Sequence, residues 1–119
     1  MSEIPNYVMY ILVNKSLPMK TGKIASQVGH AVQKVTEYCL KNKKDIWKKY
    51  CKNNYPKIVL KVPSEELLLE ILNKLKNFER IPIIDLGRTQ IKPNSLTTVG
   101  FIPIIKDDIP DCIKELKLL

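Results

Sequence analysis

Histidine occurs once in the 119 residues, glycine four times and cysteine three times. Cys39, Cys51 and Cys112 are odd in number, show no CxxC spacing and have only His30 to join them. Neither a disulfide framework nor a metal site is therefore expected, and a reducing compartment suits the chain. Long apolar stretches are also missing. The run at 8–13 is far too short to cross a bilayer and has no basic segment before it, so a soluble, cytoplasmic protein without a membrane partner is expected. With 45% hydrophobic residues and only four glycines and eight prolines, the composition lies away from disordered chains. No repeat, linker or low-complexity segment divides it. One domain over 1–119 is expected, with 1–6 a flexible tail and roughly two thirds of the unfolded surface buried.

Acidic residues are scarce as well, twelve against twenty basic ones, and the scarcity is local. Residues 1–33 carry three basic and one acidic group, 34–57 eight and two, and 58–119 nine and nine. The whole excess of +8 thus sits in the N-terminal half. Such a one-sided field raises the local concentration of a polyanion, which points to RNA, DNA or an anionic surface. A lysine-rich solvated face explains the charge equally well by itself.

Residues 7–13 (YVMYILV) read as a strand buried on both faces. After a loop at 14–20, Ile24, Val28, Ala31, Val32 and Val35 follow the spacing of an amphipathic helix reaching about Leu40. A short helix is predicted over 45–52 and a strand over 57–62. Ser64 is the expected N-cap of a helix reaching about Phe78, with Glu65 and Glu66 in its first turn. Strands at 81–85 and 97–102 flank a loop at 86–95. A last helix starts near Ile109, capped by Asp107 or Asp108, with Pro110 in its first turn. The prediction is a single α/β domain: a four-stranded mixed sheet with helices on both faces, in the order β-α-α-β-α-β-β-α.

Two segments carry groups able to do chemistry. Lys23, Gln27, His30 and Lys34 recur at helical spacing, so they share one polar face beside the apolar stripe. Lys23 at the helix start places an ammonium and free N–H groups where a phosphate or developing oxyanion is stabilised. The loop Asp85-Leu86-Gly87-Arg88-Thr89-Gln90 follows the carboxyl end of a strand, where ligands of α/β sheets usually lie. Taken alone, each segment serves structure as readily as chemistry, and a lone histidine such as His30 is more often packed than catalytic. Thr89, Thr97 and Thr98 are further candidate donors. No G-x-S-x-G elbow, cysteine–histidine pair or metal-ligand cluster is visible, which leaves water as the nucleophile of any hydrolysis.

GKIASQVGHA (22–31), DLGRTQI (85–91), the Ser95-Leu96-Thr97 step and the terminal LKLL (116–119), in this order and spacing, resemble the archaeal and eukaryotic, or type two, peptidyl-tRNA hydrolases. The likeness runs from Tyr7 to Leu119. It implies a cofactor-independent esterase that cuts the bond between a peptide's carboxyl group and the tRNA ribose, on a four-stranded mixed sheet, commonly as a homodimer. It also implies that Lys23, Asp85, Thr89 and Thr97, with Gln27 and His30, occupy site positions. Lys20, Lys34, Lys41, Lys43, Lys44, Lys48 and Arg88 would then hold the tRNA backbone. Departures are Leu86 for a usual alanine and Gly29 for a usual serine. A non-catalytic RNA-binding or adaptor module on the same scaffold is the competing expectation. A DNA-binding module ranks behind both, since no recognition-helix signature is visible.

Overall fold

The N-terminal apolar run forms the central strand β1 (Tyr7–Asn14) of a mixed sheet in the computed structural model, which describes residues 5–86 and 91–119. Its side chains alternate between two cores. Val8, Tyr10 and Leu12 join one cluster, while Met9 and Ile11 join the other, and all five are buried. Burial on both faces explains why this segment reads as a continuous apolar run rather than an alternating one.

Two helices follow, α1 (Thr21–Asn42) and α2 (Lys44–Lys52), and both cover one face. Ala31, Val35 and Cys39 of α1 meet Met9 and Ile11, and Tyr50 of α2 is fully buried in the same cluster. Trp47 lies 5.0 Å from the Tyr50 ring. Burial pushes the Tyr50 hydroxyl up to about 12 and the Cys39 thiol up to about 11, so both groups stay neutral at physiological pH. Strand β2 (Lys57–Val62) then pairs in parallel with β1. Helix α3 (Glu65–Lys74) covers the opposite face through Leu68 and Ile71. The Ser64 hydroxyl caps α3 by accepting from the Leu67 N–H at 3.1 Å, as its sequence predicts. The helix stops at Lys74, short of Phe78. Beyond it the Arg80 guanidinium donates to the Leu75 carbonyl at 2.5 Å, supplying the donor that the helix end lacks.

Strands β3 (Arg80–Asp85) and β4 (Ser95–Phe101) form an antiparallel pair, and β4 also runs antiparallel to β1. Among the described residues the expected four strands are corrected to six. Strand β5 (Ile104–Ile105) pairs with β1, and β6 (Lys117–Leu118) with β2. The path is β3-β4-β1-β2-β6, with β5 beside β1. Two-residue strands are too short to show periodicity, and only long-range pairing creates them. The last helix is corrected too. Asp107 and Asp108 lie in a 3-10 turn (Lys106–Asp108), and α4 (Asp111–Lys114) is a single turn with Pro110 at its N-cap. Helices on both faces and a mixed sheet stand as expected. Of the anticipated tail, residues 1–4 lie outside the described ones, whereas the Pro5 carbonyl accepts from Asn53 Nδ2 at 2.6 Å and the Asn6 carbonyl from the Lys106 N–H at 2.9 Å.

Helix α1 and strand β4 approach each other tightly at Gly100. A Cβ there would stand 2.8 Å from Val35 Cγ2 and 3.3 Å from the Ala31 carbonyl oxygen. Valine is stiff at χ1 and the carbonyl is fixed in α1, so neither neighbour yields cheaply. Gly100→Ala is expected to cost about 1–3 kcal/mol in urea unfolding, the range for overpacking a tight core.

The far end of α1 is clamped to the start of β3. Glu79 accepts from Lys43 Nζ at 2.7 Å and from the Tyr38 hydroxyl. The Lys43 hydrogen bond, then that of Tyr38, holds the Glu79 carboxyl below the usual range. A carboxylate lowered in this way stabilises the fold above its unfolded value of about 4.3 and ceases to do so as pH falls through the folded value. Melting temperatures of wild type and Glu79→Gln are therefore expected to differ at pH 6 and to converge below about pH 4.

Candidate active site

Helix α1 begins without help from side chains: Lys20 at its N-cap makes no side-chain capping bond, and no acidic residue lies in its first turn. The first-turn N–H groups present positive character at the carboxyl ends of β1 and β3. Into that region β3 delivers Asp85, which is 8% exposed. Lys23 of α1 meets it, with Nζ 2.5 Å from Asp85 Oδ1 and its own side chain 9% exposed. Removing two charges from water this far is costly unless each satisfies the other.

One turn on, Gln27 is 3% exposed and locked in place. Its Oε1 accepts from the Thr97 hydroxyl at 2.6 Å, and its backbone carbonyl accepts from the Thr98 hydroxyl at 3.1 Å. The Thr97 oxygen also lies 3.2 Å from the Ile83 carbonyl. Two consecutive strand residues ordinarily face opposite sides, yet both threonines bond to α1. A β-bulge allows this. Ile83 pairs with Thr98 but Ile84 with Leu96, so Thr97 is an extra residue in β4 and its side chain turns to the helix. With Oε1 held by Thr97, the amide nitrogen of Gln27 is the group left to donate.

These side chains line a cleft of about 550 Å³ between α1 and β3. Its helix wall is Lys23, Ser26, Gln27, His30 and Lys34, and its strand wall runs from Ile81 to Leu86. The four residues expected on one helix face thus stand together, with Lys23 and Gln27 deep and His30 and Lys34 exposed at the rim. Lys34 makes only a long contact with Glu37, at 3.8 Å on the surface. Arg88 and Thr89 lie outside the described residues. Lys20 stands at the helix start. Lys41, Lys43, Lys44 and Lys48 are elsewhere: Lys41 is in the last turn of α1, roughly 27 Å along the axis from Lys23 at ~1.5 Å per residue, Lys43 follows the helix, and Lys44 and Lys48 are in α2. Among them Lys43 is engaged by Glu79. Among the described residues no cluster of histidine, cysteine, aspartate or glutamate suits a metal ion.

Asn14 escaped the sequence reading. Fully buried at the end of β1, it donates to the Leu96 carbonyl at 2.9 Å and to Glu65 Oε1 at 3.4 Å, and accepts from the Ser16 hydroxyl at 2.5 Å. It pins the start of β4 beside the bulge. An asparagine after an apolar run is an ordinary turn signal, so nothing local marks it. Ser26, at the cleft, was likewise unmarked.

A family profile described as peptidyl-tRNA hydrolase PTH2 matches residues 7–119. The chain belongs to that family. Among its relatives, the peptidyl-tRNA hydrolase of Methanococcus maripaludis strain C6 is 39% identical over 116 residues, covering 95% of this chain and 99% of the relative. That of Sulfolobus acidocaldarius is 40% identical over 118 residues, covering 93% and 98%. A mitochondrial peptidyl-tRNA hydrolase 2 of Bos taurus is 34% identical, over 99% of this chain and 67% of its own length. The match to this hydrolase family spans all the elements that build the cleft, from β1 to β6.

Because Thr97 supplies the partner of a buried amide, Thr97→Val is expected to lower stability by about 1–3 kcal/mol in urea titrations, the cost of a buried polar group left unpaired. Thr97→Ser, which keeps the hydroxyl, is expected to recover most of that loss.

Proposed function

We propose that the chain hydrolyses the ester between the peptide carboxyl group and the tRNA ribose of peptidyl-tRNA, at the cleft between α1 and β3. The observation that carries this reading is the nearly buried Lys23–Asp85 pair, 2.5 Å apart in that cleft, in a chain of the peptidyl-tRNA hydrolase family. Asp85 orients a water and takes its proton as the water oxygen attacks the ester carbonyl carbon. Lys23 holds the carboxylate in place and, having three N–H groups, turns another toward the oxyanion that forms. The Gln27 amide, positioned by Thr97, orients the ester or the water. As the bond to the ribose oxygen breaks, that oxygen takes up the proton that Asp85 received from the water, so free tRNA leaves and the carboxylate is restored.

Thr89 is retained in this scheme as a second hydroxyl and His30 as a group at the cleft rim, both on the family resemblance. Neither step requires a cofactor. For tRNA binding we take Lys20, Lys34 and Arg88 as contacts near the ester, and Lys41, Lys43, Lys44 and Lys48 as more distant contacts at the far end of α1 and in α2. The working form is taken as a homodimer acting in the cytoplasm. The resemblance supports the first, and free Cys39, Cys51 and Cys112 suit a reducing compartment. No helix of the described residues is long and apolar enough to cross a membrane.

The test is release of free tRNA from a defined peptidyl-tRNA. Wild type is expected to turn over many times, and Asp85→Asn to lose about 10²–10⁴-fold in kcat, the usual worth of a positioned base. Binding of tRNA by that variant is expected to keep its steep salt dependence. Binding without any turnover by wild type would identify a non-catalytic RNA module instead.

A further inference from the structure

We infer that the open edge of β3 is the track on which the peptide part of the substrate lies, in the manner of an added parallel strand. The inference rests on the hydrolase reading and concerns the half of the substrate that the lysines do not address.

Among the described residues β3 pairs with β4 alone and ends the sheet. The Ile102 N–H bonds to the Glu79 carbonyl at 3.1 Å, which fixes the antiparallel alternation. Residues 79, 81 and 83 turn their backbone groups to β4, while Arg80, Pro82 and Ile84 turn theirs outward. Position 82 is a proline, a residue tolerated in a strand where the missing N–H would face outward. Beyond it, Ile84 offers both an N–H and a carbonyl at the edge.

The side chains agree with the backbone. Ile84 is 48% exposed and Leu86 64%, and the two flank Asp85. Pro82 is exposed beside them. Exposed apolar residues in a row on a strand edge are a liability unless something covers them. Their chemistry also separates two partners. The helix wall of the cleft carries Lys23, His30 and Lys34, whereas Ile81 to Leu86 carries one charge, Asp85, already held by Lys23. A polyanion is drawn to the first wall and an uncharged chain to the second.

Direction and length follow. The ester carbonyl stands at Asp85, so the peptide's carboxyl-terminal residue is there and the chain runs back toward Arg80, parallel to β3. From Asp85 to Pro82 is about 10 Å at ~3.3 Å per residue, room for about three peptide residues. Main-chain bonds to the edge give affinity without regard to sequence, and Pro82 and Ile84, both exposed along that course, favour apolar side chains over acidic ones.

The experiment compares kcat/KM for one tRNA carrying an N-acetylated single residue, an apolar tripeptide, an acidic tripeptide, or the apolar tripeptide with both internal amides N-methylated. The apolar tripeptide is expected to be cleaved roughly tenfold more efficiently than the single residue, the lower end of what one apolar contact contributes to discrimination. N-methylation and the acidic sequence are each expected to remove most of that gain, and Ile84→Glu to shrink the tripeptide-to-single-residue ratio toward one. Equal cleavage of all four substrates would overturn the track and leave the hydrolase standing; failure to cleave any would sink both. A flat length dependence together with a lower solution mass for Ile84→Glu would assign this edge to a second copy of the chain, which also overturns the proposal.

Discussion

The close seating of α1 on β4 is the constraint on which the cleft depends. With no side chain at Gly100, the backbone of α1 around Ala31 settles against the strand. One turn earlier in the helix, that contact brings Gln27 within reach of Thr97 and Thr98, and another turn back it brings Lys23 to Asp85. The polar row of α1 is therefore positioned by an apolar contact. A spacer one carbon thick between helix and sheet acts on every distance in the row, because a helix moves as a rigid rod over so short a span.

The buried ion pair contributes little to holding the fold. Desolvating an ammonium and a carboxylate costs several kcal/mol per ion, and their attraction roughly offsets this. What stabilises the domain is the pair of apolar clusters on the two sides of β1, each with fully buried side chains at its centre. The pair is instead a poised charge arrangement, fixed before substrate arrives and partly free of competing water, which is where electrostatic stabilisation of a transition state is strongest. The clamp of Glu79 with Lys43 and Tyr38 differs in kind: half-exposed, it ties the far end of α1 to β3 and resists rotation of the helix about its own axis.

Much of this was legible in the residue order. The helical period alone puts Lys23, Gln27, His30 and Lys34 on one face, and the apolar run at 7–13 announces a strand covered on both sides. That Asp85 closes a strand was readable too, and the structure places it at the end of β3 in the wall of the cleft. Strand register was not legible, because it is set by pairing between residues far apart in the chain. Nothing local in Leu96-Thr97-Thr98 says that the middle residue is extra, and nothing in Asn14 says that it will be sealed beneath β4. Strands β5 and β6 exist only through their partners, Tyr7 and Val8 in one case and Leu60 and Lys61 in the other. Lys43 looked like one more basic surface group until the fold placed Glu79 beside it.

The bulge in β4 gives the chain an unusual relation to its own length. Without Thr97, Ile83 opposite Thr98 and Ile84 opposite Leu96 would be consecutive rungs, and the ladder between β3 and β4 would be regular. The sheet gains nothing from the additional residue; the hydroxyl beside Gln27 is what it supplies. At Gly100 a change of residue type in β4 is thus judged by packing, whereas at Thr97 both the hydroxyl and the extra residue that carries it bear on the buried amide. A relative shorter by this residue would keep a regular ladder and its hydrophobic pattern, yet lose the group that steadies the buried amide and the stability that goes with it.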